Sequence, residues 1–74
     1  MTLHVRMQPG ARIAPHRHLA AEQCYMLAGE RRVGTRVHRA GDYWQAAPGS
    51  LHAASESPGG CAYLLIASRP ETDG

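Results

Sequence analysis

The sequence predicts an all-β domain, a small barrel or sandwich, on three observations. Apolar and polar residues alternate over short runs, and Gly and Pro punctuate the chain at close intervals. No stretch of ~12 residues carries helical periodicity between caps. Short strands at close spacing must close on themselves or stack to bury one face. The 74 residues make one domain. A chain of this size buries only ~60% of the surface it exposes when unfolded. It therefore tends to need a staple: a metal, disulfides or a partner subunit. With no Phe, one Trp and three Tyr, the interior must be filled by Val, Ile, Leu, Met and Ala.

The elements follow in order. Thr2 to Gln8 alternates, with Leu3, Val5 and Met7 on one face and His4 and Arg6 on the other. Pro9-Gly10 is a turn. Ala11 to His18 is extended, and Pro15 places part of it at an edge or a strand end. Gln23 to Ala28 is apolar on both faces, Cys24 and Met26 against Tyr25 and Leu27. That suits a strand buried on both sides, or one whose outer face meets a partner. Gly29-Glu30 reads as a hairpin turn, and Arg31 to Arg39 as the returning strand, interrupted at Gly34. Gly41 to Trp44, Leu51 to Ser55 and Cys61 to Ser68 are further strands. Pro48-Gly49 turns between the first two, and Ser57 to Gly60 forms the loop before the last. Residues 1–69 are expected to form the domain, and residues 70–74 a disordered tail.

The net charge of +2 is mild. The arginines from Arg31 to Arg39 lack the interleaved aromatics of a single-strand binder, so they read as a solvated hairpin and no nucleic-acid role is expected. Cys24 and Cys61 do not make a disulfide framework. No apolar run approaches ~20 residues, so no membrane role is expected. Without a secretory leader, a cytoplasmic protein with reduced thiols is the expectation.

Three histidines and a glutamate stand out. His16 and His18 are two apart, and on a strand such residues share a face. Glu22 follows across a short connection and can fold back on them. His52, after the Pro48-Gly49 turn, can supply a fourth donor from across a barrel. Imidazole and carboxylate together suit Zn, Fe, Mn, Ni, Co or Cu(II). From spacing alone, a metal site and a set of solvent-facing side chains both remain open.

These residues resemble the cupins. Gly10, His16, His18, Glu22 and Gly29 match the first cupin motif at every spacing. Gly41, Gly49 and His52 match the second. Ala47 stands where that motif has Pro, with Pro48 one place later, and Glu56 stands where it has Asn. These departures leave the ligand positions intact and bear on the shape of the second turn. The wording of Pro15-His16-Arg17-His18, Gly41-Asp42-Tyr43-Trp44, Pro48 to His52 and Gly60-Cys61 resembles the cupin domain of ChrR-type anti-sigma factors. The resemblance implies a small cupin-type β-barrel or jelly roll. It also implies one divalent metal (Zn, Fe, Mn or Ni) on His16, His18, Glu22 and His52, with zinc favoured by the ChrR likeness. The sigma-binding segment of those proteins lies in a separate N-terminal zinc domain and is not expected here. Typical cupins have further outer strands. The open edge expected here invites a homodimer that shares strands.

Around these four residues, Cys24 is expected on the face of Glu22, as a pocket wall or a small buried residue. Cys61 faces the site or is inert. His4 and His38 read as surface residues, and Arg36 and Arg39 disfavour a cation at His38. Tyr25, Met26, Trp44, Tyr63 and Leu65 are candidate walls or ordinary packing. Glu56 is a second-shell partner for His52 or a solvated loop residue. Catalytic residues are not assigned, Glu56 and Tyr43 being weak acid–base candidates. Three readings follow. The first is a metal-binding cupin with unassigned activity and a small-molecule ligand in its barrel. The second is a small dioxygenase, isomerase or lyase acting on an oxygen-chelating molecule. The third is a ChrR-like module that metal stabilises for sensing or regulation.

Overall fold

The computed structural model describes residues 1–18 and 20–67, and all regular structure within them is β. The expected tail at residues 70–74 and the end of the last strand at Ser68 lie outside these residues. The strands are β1 (Thr2–Met7), β2 (Ala11–Ile13), β3 (His16–Arg17), β4 (Glu22–Val33), β5 (Arg36–Arg39), β6 (Tyr43–Ala46), β7 (Leu51–His52), β8 (Ser55–Ser57) and β9 (Cys61–Ala67). Pro15 separates β2 from β3, as a residue without an amide donor should.

Strand β4 is the spine. Its first half pairs with β9 on one side and β6 on the other. Its second half pairs with β5 and β8. The main sheet runs β1-β9-β4-β8-β2 and curls into a half-barrel, while β3 and β7 form a separate two-stranded ribbon. All pairings are antiparallel.

The hairpin expected at Gly29-Glu30 is not there. β4 continues through both residues, and the chain turns at Gly34-Thr35 instead. A bulge between Met26 and Ala28 takes up one residue, and Gly29 follows at φ 75°. Bulges bend a strand and raise its twist, so β4 passes from one half of the sheet to the other without breaking. A Cβ at Gly29 would run into the Gly60 carbonyl oxygen and the Cys61 Cα of β9. The glycine that resembled a turn signal is required by close backbone approach. The run expected from Leu51 to Ser55 is likewise two short strands, β7 and β8.

The core forms where inward residues of neighbouring strands meet. Met7 faces Cys61, Val5 faces Tyr63, Tyr63 faces Met26, and Cys24 lies between Leu65 and Trp44. Met7, Cys24, Met26, Cys61 and Tyr63 make the buried cluster, with Val5, Ala11, Ile13, Trp44 and Leu65 packed against it. Met26 is fully buried. The opposite face of the same strands is not covered. Tyr25 and Leu27 are 42% and 40% exposed, so the first half of β4 is buried on one side only.

Candidate functional site

The pairing of β3 with β7 sets His16 directly opposite His52. The ladder extends past β3, since His18 N–H donates to Ser50 O and Gly49 N–H to His18 O (2.9 and 2.7 Å). The second motif's turn is therefore sound without proline at position 47. Pro48 and Gly49 occupy its corners, Ser50 N–H donates to Ala47 O (3.2 Å), and Gly49 supplies the φ of 77° that this turn type needs. Arg17 Nη1 ties the turn down by donating to Gly49 O (3.1 Å).

Three imidazoles thus converge. The rings of His16 and His52 stack at 4.7 Å, and His18 meets them edge-on at 5.5 and 4.9 Å. Glu22, at the start of β4, brings Oε2 to 3.1 Å from His18 Nδ1. The pair is not aligned as a hydrogen bond and is an ion pair only when the imidazole is protonated. His18, Glu22 and His52 are buried, and His16 sits at the exposed rim. His52 Nδ1 donates to Ala53 O (2.7 Å) and His16 Nδ1 to Ala14 O (3.2 Å). Each ring is thereby left with Nε2 as its basic nitrogen, as when a metal-ligating histidine donates its other N–H to a carbonyl. As they stand, no three His, Cys, Asp or Glu side chains among the described residues are set to hold an ion. Part of the reason is visible: Glu22 Oε2 lies against His18, and His52 Nε2 accepts from Arg31 Nη2 at 3.2 Å. The donor chemistry fits a divalent transition metal, but closing a coordination sphere requires these contacts to open.

Arg31 is the residue that sequence reasoning missed. It was expected in a solvated hairpin, yet it is only 3% exposed. Its guanidinium lies over the ring of Tyr63 at 4.4 Å and reaches toward that of Trp44 at 5.6 Å. It also donates to Cys24 Sγ (3.8 Å) and Ser55 Oγ (3.4 Å). The signal lay in the phase of β4. Glu22, Cys24 and Met26 point inward on even numbers, and the bulge moves the inward face to Arg31. The neighbouring arginines behave as expected. Arg12, Arg32 and Arg39 are exposed and share Glu30 and Glu56 at 3.3–3.9 Å.

Other expectations resolve at the same time. A cavity of about 130 Å³ is lined by His16, Glu22, Arg31 and His52, with walls that include Cys24, Trp44, Tyr63 and Leu65. Met26 is core, and Tyr25 lies outside. Burial pushes the Cys24 thiol up to about 11 against the opposing pull of Arg31, so Cys24 is a neutral wall at pH 7. Cys61 packs in the core cluster. Glu56 is not a partner of His52: it reaches Arg12 and Arg32. Tyr43 is exposed and donates to Gln23 Oε1 (2.8 Å).

His38 is buried rather than exposed, stacked on Trp44 at 3.7 Å. Burial holds its pKa below 6.5; Arg31 and Arg36 add to this and Asp42 opposes it. Burial lowers His52 as well, and its bond to Ala53 opposes the shift. Both rings bind protons more weakly when folded than when unfolded, where they titrate near 6.5. Their contribution to stability is present above that pH and is lost as pH falls. The urea midpoint of metal-stripped protein should therefore drop between about pH 7.5 and 5.5, and His38→Gln should flatten part of the drop. A variant with the wild-type slope would remove His38 from this account.

A curled antiparallel half-barrel whose cavity is bordered by His16, Glu22 and His52, with His18 set against the two histidine rings from outside that lining, is a cupin. Within that class the chain belongs to the ChrR Cupin-like domain family, whose model matches residues 1–70. The fold is shared with an RmlC-like cupin from Shewanella frigidimarina NCIMB 400 (TM-score 0.81, 24% identity), over 96% of this chain and 68% of that one. It is shared too with a protein of unknown function with a cupin-like fold from Ralstonia eutropha JMP134 (TM-score 0.79, 20% identity), over 92% and 46%. Drosophila melanogaster CENP-C, in a crystal structure bound to CAL1, is similar over 92% of this chain and 64% of that one (TM-score 0.76, 17% identity). The chain thus spans less than half of the Ralstonia protein. No curated protein sequence matches it. Among the described residues no helix is long and apolar enough to cross a membrane.

Proposed function

We propose that this cupin domain binds one divalent metal ion through His16, His18, Glu22 and His52, and that the metal stabilises a small ligand-binding or sensing module. The observation that carries this reading is the cross-strand placement of His16 against His52, with His18 meeting both rings. Imidazole nitrogens with one carboxylate suit zinc, iron, manganese or nickel. A stabilising role rather than a catalytic one is favoured by the position of Glu56 and Tyr43. The two acid–base candidates face away from the cavity: Glu56 reaches Arg12 and Arg32, and Tyr43 is exposed and bonded to Gln23. The metal would hold together β3, β7 and the start of β4, which join three parts of a chain with few core residues. The test is elemental analysis of protein purified without a His tag. About one equivalent of metal is expected, lost in His16→Ala. Retention of metal in that variant would sink the four-ligand proposal.

The partner proposed is a second copy of the chain. Among the described residues strand β1 pairs only with β9 and leaves an edge. Beside it, Ile66, Tyr25, Leu27 and Tyr43 form an exposed apolar strip across β9, β4 and β6. Edges and apolar faces of this kind are normally covered. Light scattering at micromolar concentration should give the mass of two chains, and Tyr25→Lys should give one. A wild-type monomer would refute the dimer.

A further inference from the structure

Arg31 is a buried cation to which no acid has been matched. Among the described residues its polar contacts are Cys24 Sγ, His52 Nε2 and Ser55 Oγ, none of them a carboxylate. Its Nε–H is buried and has no acceptor. Glu30 and Glu56 face the exposed arginines. Glu22 borders the same cavity as Arg31, with its Oε2 set 3.1 Å from His18 Nδ1. The π faces of Tyr63 and Trp44 offset part of the charge but accept no hydrogen bond in the plane of the guanidinium. Burying a guanidinium that no carboxylate bonds directly is unfavourable, so a fold that does this has reason to take an anion from solution onto the open fork.

The cavity beside Arg31 sets the size of that anion. About 130 Å³ is room for a molecule of a few heavy atoms, and His16, Glu22 and His52 border the same space. The planar guanidinium offers a fork that matches two oxygens of a carboxylate. We infer that the pocket binds a small carboxylate, held by Arg31 on one side and facing the histidine cluster on the other. The inference deepens the metal-binding proposal by naming the ligand class, although the Arg31 contact stands without an ion. It also gives His52 a second state. An anion that draws Arg31 away from His52 Nε2 frees the nitrogen that a metal needs, so carboxylate and metal should each raise the other's affinity.

Calorimetric titration with oxalate tests this, with neutral oxamide as the matched control. Metal-stripped wild-type protein should bind oxalate and not oxamide, and Arg31→Gln should weaken oxalate binding about 30-fold or more. Arg31→Lys, which keeps the charge but loses the fork, should lie between the two. Circular dichroism reports whether each variant folds, and the oxalate–oxamide contrast in wild type needs no variant. Equal binding by wild type and folded Arg31→Gln overturns the inference, as does wild type with no preference for oxalate in either metal state. Oxalate bound only by zinc-loaded protein, equally with and without Arg31, would be simple chelation; it would support the metal site and overturn the role of Arg31. Arg31-dependent binding in protein that takes up no metal would do the reverse.

Discussion

Adding zinc to metal-stripped protein should raise its melting temperature by roughly 20 °C, and the rise should vanish in His52→Ala. The size follows from linkage. A ligand present at ~1,000 times its dissociation constant, and bound only by the folded state, contributes about 4 kcal/mol. In a domain of this length each 1 kcal/mol moves the midpoint by ~4–8 °C. The effect is expected to be large because the buried cluster among the described residues is small: two methionines, two cysteines and a tyrosine, with five partly buried residues packed on it. His52 is the chosen position because it lies opposite His16 and joins the second motif to the first. Its loss removes a donor and one side of the β3–β7 ribbon's ring stack, but only the first of these abolishes the response to zinc. The comparison is therefore the shift on adding zinc, wild type against variant, and not the two melting temperatures themselves. A shift of the same size in both would exclude His52 as a ligand. No shift in wild type would exclude metal stabilisation altogether.

The gathering of the three histidines was legible in the sequence where motif spacing and strand period agree. His16 and His18 share a ribbon with His52 because a two-residue spacing on a strand and a Pro48-Gly49 turn permit few other arrangements. Cys24 was placed correctly on the face of Glu22 by the same period. Reading failed where the period slips. Met26 to Ala28 holds a bulge, and nothing in Met-Leu-Ala announces one; it arises because β4 must serve two halves of a curled sheet. Two errors share that origin. Gly29 was taken for a hairpin turn, and Arg31 was assigned to solvent with Arg32. His38 failed for a different reason. Its flanking arginines are exposed as expected, but its own ring is buried by Trp44, a residue of another strand. Burial set by a non-local aromatic leaves no local trace.

Gly29→Ala should cost about 3 kcal/mol or more, against about 1–2 kcal/mol for Gly49→Ala. Both glycines have positive φ, 75° and 77°, so both substitutions carry the backbone penalty of a left-handed L-residue. They differ in what the new methyl group meets. At Gly49 nothing lies within 4 Å. At Gly29 the obstacles are the Gly60 carbonyl and the Cys61 Cα, both backbone, where no rotamer change relieves the clash. The only relief is to move β9 away from β4. That would separate Cys61 and Tyr63 from Cys24 and Met26, the centre of the cluster, and loosen the wall on which Arg31 rests. A core this small supplies only ~3–5 kcal/mol in all, so metal-stripped Gly29→Ala should be largely unfolded at 25 °C. The measurement is the urea midpoint of both variants without metal. Equal losses would mean that β4 and β9 can separate at little cost, and that the bulge, not the close approach, is what places Arg31 in the pocket.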